Sequence, residues 1–396
     1  MSVVGPIQPY AGGGAVQENF RAMIDHVLTY NPDCPPQLAK RRINTRLRQL
    51  LDRRMWAGLL VRGQIVIPGV YTAGSVTVTQ GSDVVIGDAN TLWPVSDLVN
   101  TTLANPITIT GEYQDVTPAS MAGINAGDFV TINANGPNEE FLLVISIGPT
   151  SFKAKPALLH NGGDFVTKSS LMRRQFRVGT TTSFYGILGV STPSKLKLDL
   201  VWGHANFGPL SAYQIMQAYV SLEQNLRMVW SVVNNKQGWR LRLNMPQEVL
   251  NTYDTWRQTT GFVYMMADYV PDEIGRMQYE LYPSPSMQQG FPYLAYMTPP
   301  ILQNDEDTPP PVIPSHLLVE GAIADVLVWN PKSAYYDPQT SAKFEKDFER
   351  DQASAALADD SIYMQNLQWA YSRYPFTQHG ANYWQSHDVD SVFGYV

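Results

Sequence analysis

Between about residue 62 and residue 179 no segment keeps a helical period for a helix's length, and this constrains the fold more than any other feature of the chain. Val66, Val76, Val78, Val84 and Ile86 sit in short alternating runs broken by Gly69, Gly74, Gly81 and Gly87. Side chains of a strand alternate between two faces, so such runs with tight-turn glycines between them predict strands. The pattern continues through GDFVTIN (127–133), EFLLVISIG (140–148) and RRQFRVG (173–179). Short strands at this spacing point to a β-sandwich or barrel.

Helical patterns flank this region. Phe20, Met23, Ile24, Val27 and Leu28 make one apolar stripe, ended by the Asn31–Pro36 breaker. A second stripe, Leu38, Ile43, Leu47, Leu50 and Leu51, runs among Lys40, Arg41, Arg42, Arg46, Arg48, Arg53 and Arg54, giving an amphipathic helix with a basic polar face. Ile215, Ala218, Tyr219, Leu222, Leu226 and Val229 recur at helical spacing behind Ser211, so 211–234 is expected to be a helix. Strands are expected at 239–245, 262–266, 276–282 and 292–298. After the linker NDEDTPPPVIP, the segment 311–330 places Leu317, Leu318, Gly321, Ala322, Ala324, Asp325 and Val328 on or beside one helical face. Its small residues permit close approach of another helix. Asp337 and Pro338 suit the cap and first position of a last helix. From Trp369 onward the chain has many aromatics and no helical period.

The expected architecture is α+β: residues 1–61 as an arm and helices, 62–205 as an inserted antiparallel β-sandwich or barrel domain, 206–368 as the remainder of the helical domain with a small β layer, and 369–396 as an extended aromatic-rich C-terminal tail.

Composition excludes several function classes. Charged residues are 16% of the chain against 11% aromatic, with 21 Tyr and 9 Trp, which suits surfaces devoted to partners. A net charge of −7 argues against a general nucleic-acid coat. The single cysteine, Cys34, rules out a disulfide framework within the chain and CxxC zinc chemistry. No apolar run approaches the roughly 20 residues of a membrane span, and no signal peptide is expected at the start. His316 lacks ligand partners at helical spacing apart from Glu320, and Asp305, Glu306 and Asp307 lack the EF-hand pattern. Gly12–Gly14 has no GK[ST] after it, and no GxSxG occurs, so neither phosphate-loop nor serine-nucleophile chemistry is expected. No catalytic residue, cofactor or metal is assigned.

Three stretches carry a resemblance to a known family. GRMQYELYPSPS (275–286) is a strand ending in a Tyr-Pro-x-Pro turn, PYLAYMTPPIL (292–302) is a strand followed by a Pro-Pro linker, and 311–330 is an Ile-Pro-x-His lead into a Gly-Ala helix. Their order and spacing, with the N-terminal helix pair and Trp56, resemble the head-to-tail connector, or adaptor, proteins of tailed bacteriophages. VTVTQGSDVVIGDANTLWP (76–94), GDFVTIN and ISIGPTSFKAKPAL (145–158) resemble small β modules of phage neck and tail proteins.

The resemblance implies a helical bundle adaptor domain and a non-enzymatic virion protein of the neck, assembled in the host cytoplasm. It would form a ring, commonly of twelve copies, docked under the portal protein and extending the DNA channel to a tail, nozzle or tail-tube protein. Genomic DNA would pass through without sequence-specific binding, no membrane is involved, and a tail fibre is the partner expected for the β domain. Such a ring needs two different adhesive faces per subunit. Arg42, Arg46 and Arg53 are expected at one such subunit or portal interface in preference to DNA phosphates, the alternative being a solvated helix face. In the tail, Trp369, Tyr371, Tyr374, Phe376, Tyr383, Trp384, Phe393 and Tyr395 are expected as docking anchors, the alternative being a tail folded back over its own domain. The alternative is a glycan-binding or glycan-degrading virion protein using the aromatic-rich β domain. Degradation needs paired carboxylates, and Asp83, Asp88, Asp97, Glu112, Asp115, Asp128, Glu139 and Glu140 show no diagnostic arrangement.

Overall fold

The fold was obtained as a computed structural model, in which the described residues are 17–179, 181, 183–223 and 225–373, with backbone alone for 361–373. The expected α+β architecture, a helical bundle adaptor with an inserted sandwich, is not what the chain adopts. It is mostly β, with 32% strand against 22% helix and many antiparallel sheets. The chain forms two compact units, one over Gly63–Ala295 and a helical one that runs to Arg62 and resumes at Tyr296.

The largest correction lies at 211–234, which holds strands Tyr213–Met216, Tyr219–Ser221 and Leu226–Asn234 and, among its described residues, no helix. Ala218, Val220 and Leu222 are buried at every second position. The apolar residues there satisfy a period of two as well as one of 3.6. Tyr213, Ile215, Tyr219, Val220, Val229 and Val232 are aromatic or β-branched, types that favour the pleated surface.

In the β unit, seven strands pair in the order Phe207–Ser211, Val76–Val78, Val84–Gly87, Lys195–Leu198, Tyr185–Thr192, Gln175–Val178, Tyr213–Met216. The two edge strands are separated in sequence by Ala212 alone, so the sheet must curl into a half-barrel. Trp93, Phe176 and Trp202 fill its interior, where Trp93 Nε1 donates to the Tyr213 hydroxyl over 2.9 Å. A second core, around Val116, Val130, Ile132, Phe152 and Val166, lies between a four-stranded sheet and a three-stranded one. A third, around Leu250, Met265 and Tyr282, packs beneath a short helix.

The helical unit is built from α1 (Phe20–Tyr30), α2 (Pro36–Arg53), α4 (Ser315–Leu327) and α5 (Pro338–Arg373), the short helix of the β unit being α3 (Gln247–Tyr253). The Asn19 side chain accepts from Ala22 N and starts α1. Pro36 occupies the first position of α2, where a missing N–H costs nothing. Asp337 accepts from the backbone of Gln339 and Thr340 and starts α5. The residues expected on one face of α4 prove too few: it is buried nearly all round, as a central helix must be. Phe20, Met23, Ile43, Leu47, Leu50 and Phe348 close around it; each contributes about 1.5–3 kcal/mol by leaving water. The acidic stretch after the β unit is tied down: Asp305 binds Arg21 and Lys40 through its side chain.

Candidate interface on the helical unit

The basic face of α2 resolves into two groups. Arg46 turns inward, with its side chain only 8% exposed. Its Nε and Nη2 donate to Asp325 of α4 at 3.1 and 2.6 Å, and its Nη1 and Nη2 to Glu345 of α5 at 2.9 and 2.6 Å. The guanidinium also lies over the Phe348 ring, 5.0 Å from its centroid. Burial by itself depresses the Arg46 pKa, but the bonds to Glu345 and Asp325 outweigh it and hold the pKa above the ordinary arginine range. Gly321 makes the geometry possible, since a Cβ there would sit 2.9 Å from Arg46 Cδ and 3.1 Å from Phe348.

Other cations are also engaged within the unit. Arg53 donates to Gln352. Arg54 reaches Asp359 and Asp360 and lies over Trp56. Asp359, buried on α5, accepts in addition from the backbone N–H groups of Ala57 and Gly58 at 2.8 and 3.1 Å, fixing the 3-10 turn Ala57–Leu59.

Arg41 and Arg48 remain. Both are exposed, and among the described residues neither side chain has a partner. At 3.6 residues per turn they lie about 140° and 160° around α2 from Arg46, so they point away from α4 and α5. Arg42 is half-buried, with its Nε enclosed and without an acceptor among the described residues.

The opposite flank carries acid. Glu320 on α4 and Asp347 and Asp351 on α5 are mutually close, and burial, then Asp351, then Asp347 push the Glu320 carboxyl above the usual carboxylate range against the opposing pull of His316 and Arg350. Arg350 binds both Asp347 and Asp351 at 2.8 Å, while Glu320 Oε2 is enclosed without a partner. By helical position Asp347 and Asp351 are turned about 160° and 120° from Glu345, and Glu320 about 140° from Asp325. The cationic and acidic faces therefore lie on opposite sides of the unit.

Of the residues expected at an interface, Arg42, Arg46 and Arg53 share one helix, but Arg46 is internal. Trp369 and Tyr371 fall within α5, which continues to Arg373 where an extended tail was expected. Tyr374, Phe376, Tyr383, Trp384, Phe393 and Tyr395 lie outside the described residues. The sequence placed Arg41 and Arg48 on the basic face without singling them out from Arg42, Arg46 and Arg53, and it gave no sign of Asp359; the seven-residue spacing of the two arginines was the available signal.

In the β unit, Trp93 and Trp202 are core residues, and several carboxylates are bound locally. Asp83 pairs with Lys197, Asp128 with Lys168, and Glu140 with His160 at 2.8 Å. Glu140 also accepts from the backbone of Ala157 and Leu158, pinning their loop. Among the described residues no group of three potential ligands is placed to hold a metal ion, and no helix is long and apolar enough to cross a membrane. Comparison with known protein families and with curated proteins finds no match to this chain.

Proposed function

We propose that this chain is a structural virion subunit that closes head-to-tail into a ring beneath the portal of a tailed bacteriophage and links head to tail around the DNA channel. The observation that carries the reading is the cationic face of α2 at Arg41 and Arg48, without a partner among the described residues and left outward-facing while Arg46, Arg53 and Arg54 are engaged within the unit. Ring closure joins one surface of a subunit to a different surface of the next, and an arginine-bearing face is suited to an acidic neighbour. The resemblance at 275–286, 292–302 and 311–330 supplies the context of portal and tail. The net charge of −7 keeps passing DNA weakly held. Negative-stain microscopy of the purified chain mixed with cognate portal rings tests the proposal. Closed rings or a new layer under the portal are expected. A chain that stays monomeric and unattached beside portal, while binding or hydrolysing a polysaccharide, would defeat it.

A further inference from the structure

We propose that Arg41 and Arg48 of one copy seat against Glu320, Asp347 and Asp351 of the next, so that the acidic flank of α4 and α5 is completed only by a second copy of this chain. This rests on the ring reading above and names the two surfaces that would close it.

The acidic flank is undercompensated as it stands. Three carboxylates share one arginine, Arg350, which is itself 67% exposed, with His316 exposed nearby. Buried or enclosed carboxylate oxygens are normally paired, and among the described residues Glu320 Oε2 is not. On the far side of the same unit, two exposed guanidinium groups one heptad apart, those of Arg41 and Arg48, lack acceptors among the described residues. Two other basic side chains of α2 do reach carboxylates of their own unit: Lys40 reaches Asp305, and Arg46 reaches Asp325 and Glu345. Arg41 and Arg48 point away from all of these. Neither face can satisfy the other within one molecule, because they are turned in opposite directions. A head-to-tail neighbour brings them together, and repetition of that contact builds a closed ring if the rotation closes. Two parallel forks on carboxylates also fix register, which point charges do less well.

The test uses the full-length chain. One variant carries Arg41→Glu and Arg48→Glu, a second Asp347→Lys and Asp351→Lys, and a third all four changes. Sedimentation velocity reads self-association at low and high salt, and thermal melting checks that each variant is folded. Each two-site reversal should weaken association by about tenfold or more, a loss of the size expected when like charges meet. The four-site chain should recover association, as should an equimolar mixture of the two reversal variants, because each then meets opposite charge. The neutral pair Asp347→Asn and Asp351→Asn, which leaves Arg350 unopposed by new cations, should show a smaller loss in the same direction. If the wild type assembles and both reversals assemble equally well, the charge pairing is wrong and the ring reading stands. The pairing is equally wrong if reversal abolishes assembly and neither recombination restores it. A wild-type chain that stays monomeric even with portal removes both readings.

Discussion

Arg46 shows how one residue can hold three helices of this unit together. It joins α2 to α4 and α5 by paired bonds to Asp325 and Glu345. Removing one partner of a buried ion pair leaves the others uncompensated, which costs about 3–5 kcal/mol when all are enclosed. Because Glu345 is partly open to water, the lower end applies, and Arg46→Ala should cost about 3 kcal/mol in urea denaturation. Arg46→Lys should recover little, since an ammonium cannot serve two carboxylates with a planar fork. Gly321→Val should cost about 1–3 kcal/mol by forcing Arg46 and Phe348 apart. Glu320 behaves in the opposite sense. Its folded-state pKa lies above the unfolded one, so between the two values the native state holds more protons and stability falls as pH rises. Glu320→Gln should therefore raise the melting temperature near neutral pH, and the gain should vanish as pH drops below the ordinary glutamate range. A substitution that stabilises the lone chain yet weakens its self-association would identify Glu320 as retained for a partner.

At the scale of elements, the stretch 211–234 marks where sequence pattern stops deciding. The same apolar residues fit a helix and a run of strands, and for the first two strands the choice falls to the sheet edges they complete: Gln175–Val178 for Tyr213–Met216, and Gln278–Tyr282 for Tyr219–Ser221. Partners forty or sixty residues away leave no local trace. By contrast α1, α2, the Asp337 start of α5 and the glycine-punctuated strands from Val76 onward were legible, because caps, breakers and stripes are local physics. The candidate interface was legible only in part. Sequence marked α2 as basic, yet which arginines turn inward depends on where Asp325 and Glu345 arrive, some 280–300 residues later. Asp359 was invisible for the same reason. It holds the 3-10 turn by two backbone N–H groups and Arg54, and charge-assisted bonds of this kind contribute about 1.5–3 kcal/mol each. Asp359→Ala should lower stability by about 2 kcal/mol, and amide exchange at Ala57 and Gly58 should accelerate beyond that at the centre of α2. Equal acceleration across the whole unit would show instead that the turn has no separate stability.

For the whole molecule, the separation of the cores carries a consequence of its own. The core around Phe20, Ile43, Leu318 and Phe348 draws only on residues up to Leu59 and from Leu302 onward. The cores around Trp93 and Phe176, around Val130 and Phe152, and around Leu250 and Met265 draw on residues between them. The strands that enter and leave the β unit, Leu60–Ile67 and Gln289–Met297, are hydrogen-bonded neighbours. A short linker therefore suffices to replace residues 63–295, and closing a short loop adds little entropy. The resulting chain should fold by itself, with a helical circular-dichroism spectrum and one cooperative thermal transition. Arg46→Ala in that background should cost the same as in the full chain to within about 0.5 kcal/mol, the tolerance for sites with no shared partners. A shortened chain that is helical but melts without cooperativity would mean that Arg46 and its neighbours need the β unit to hold their arrangement. Agreement of the two costs would instead place the helices of the candidate interface in a unit that can be purified and tested apart from the sheets.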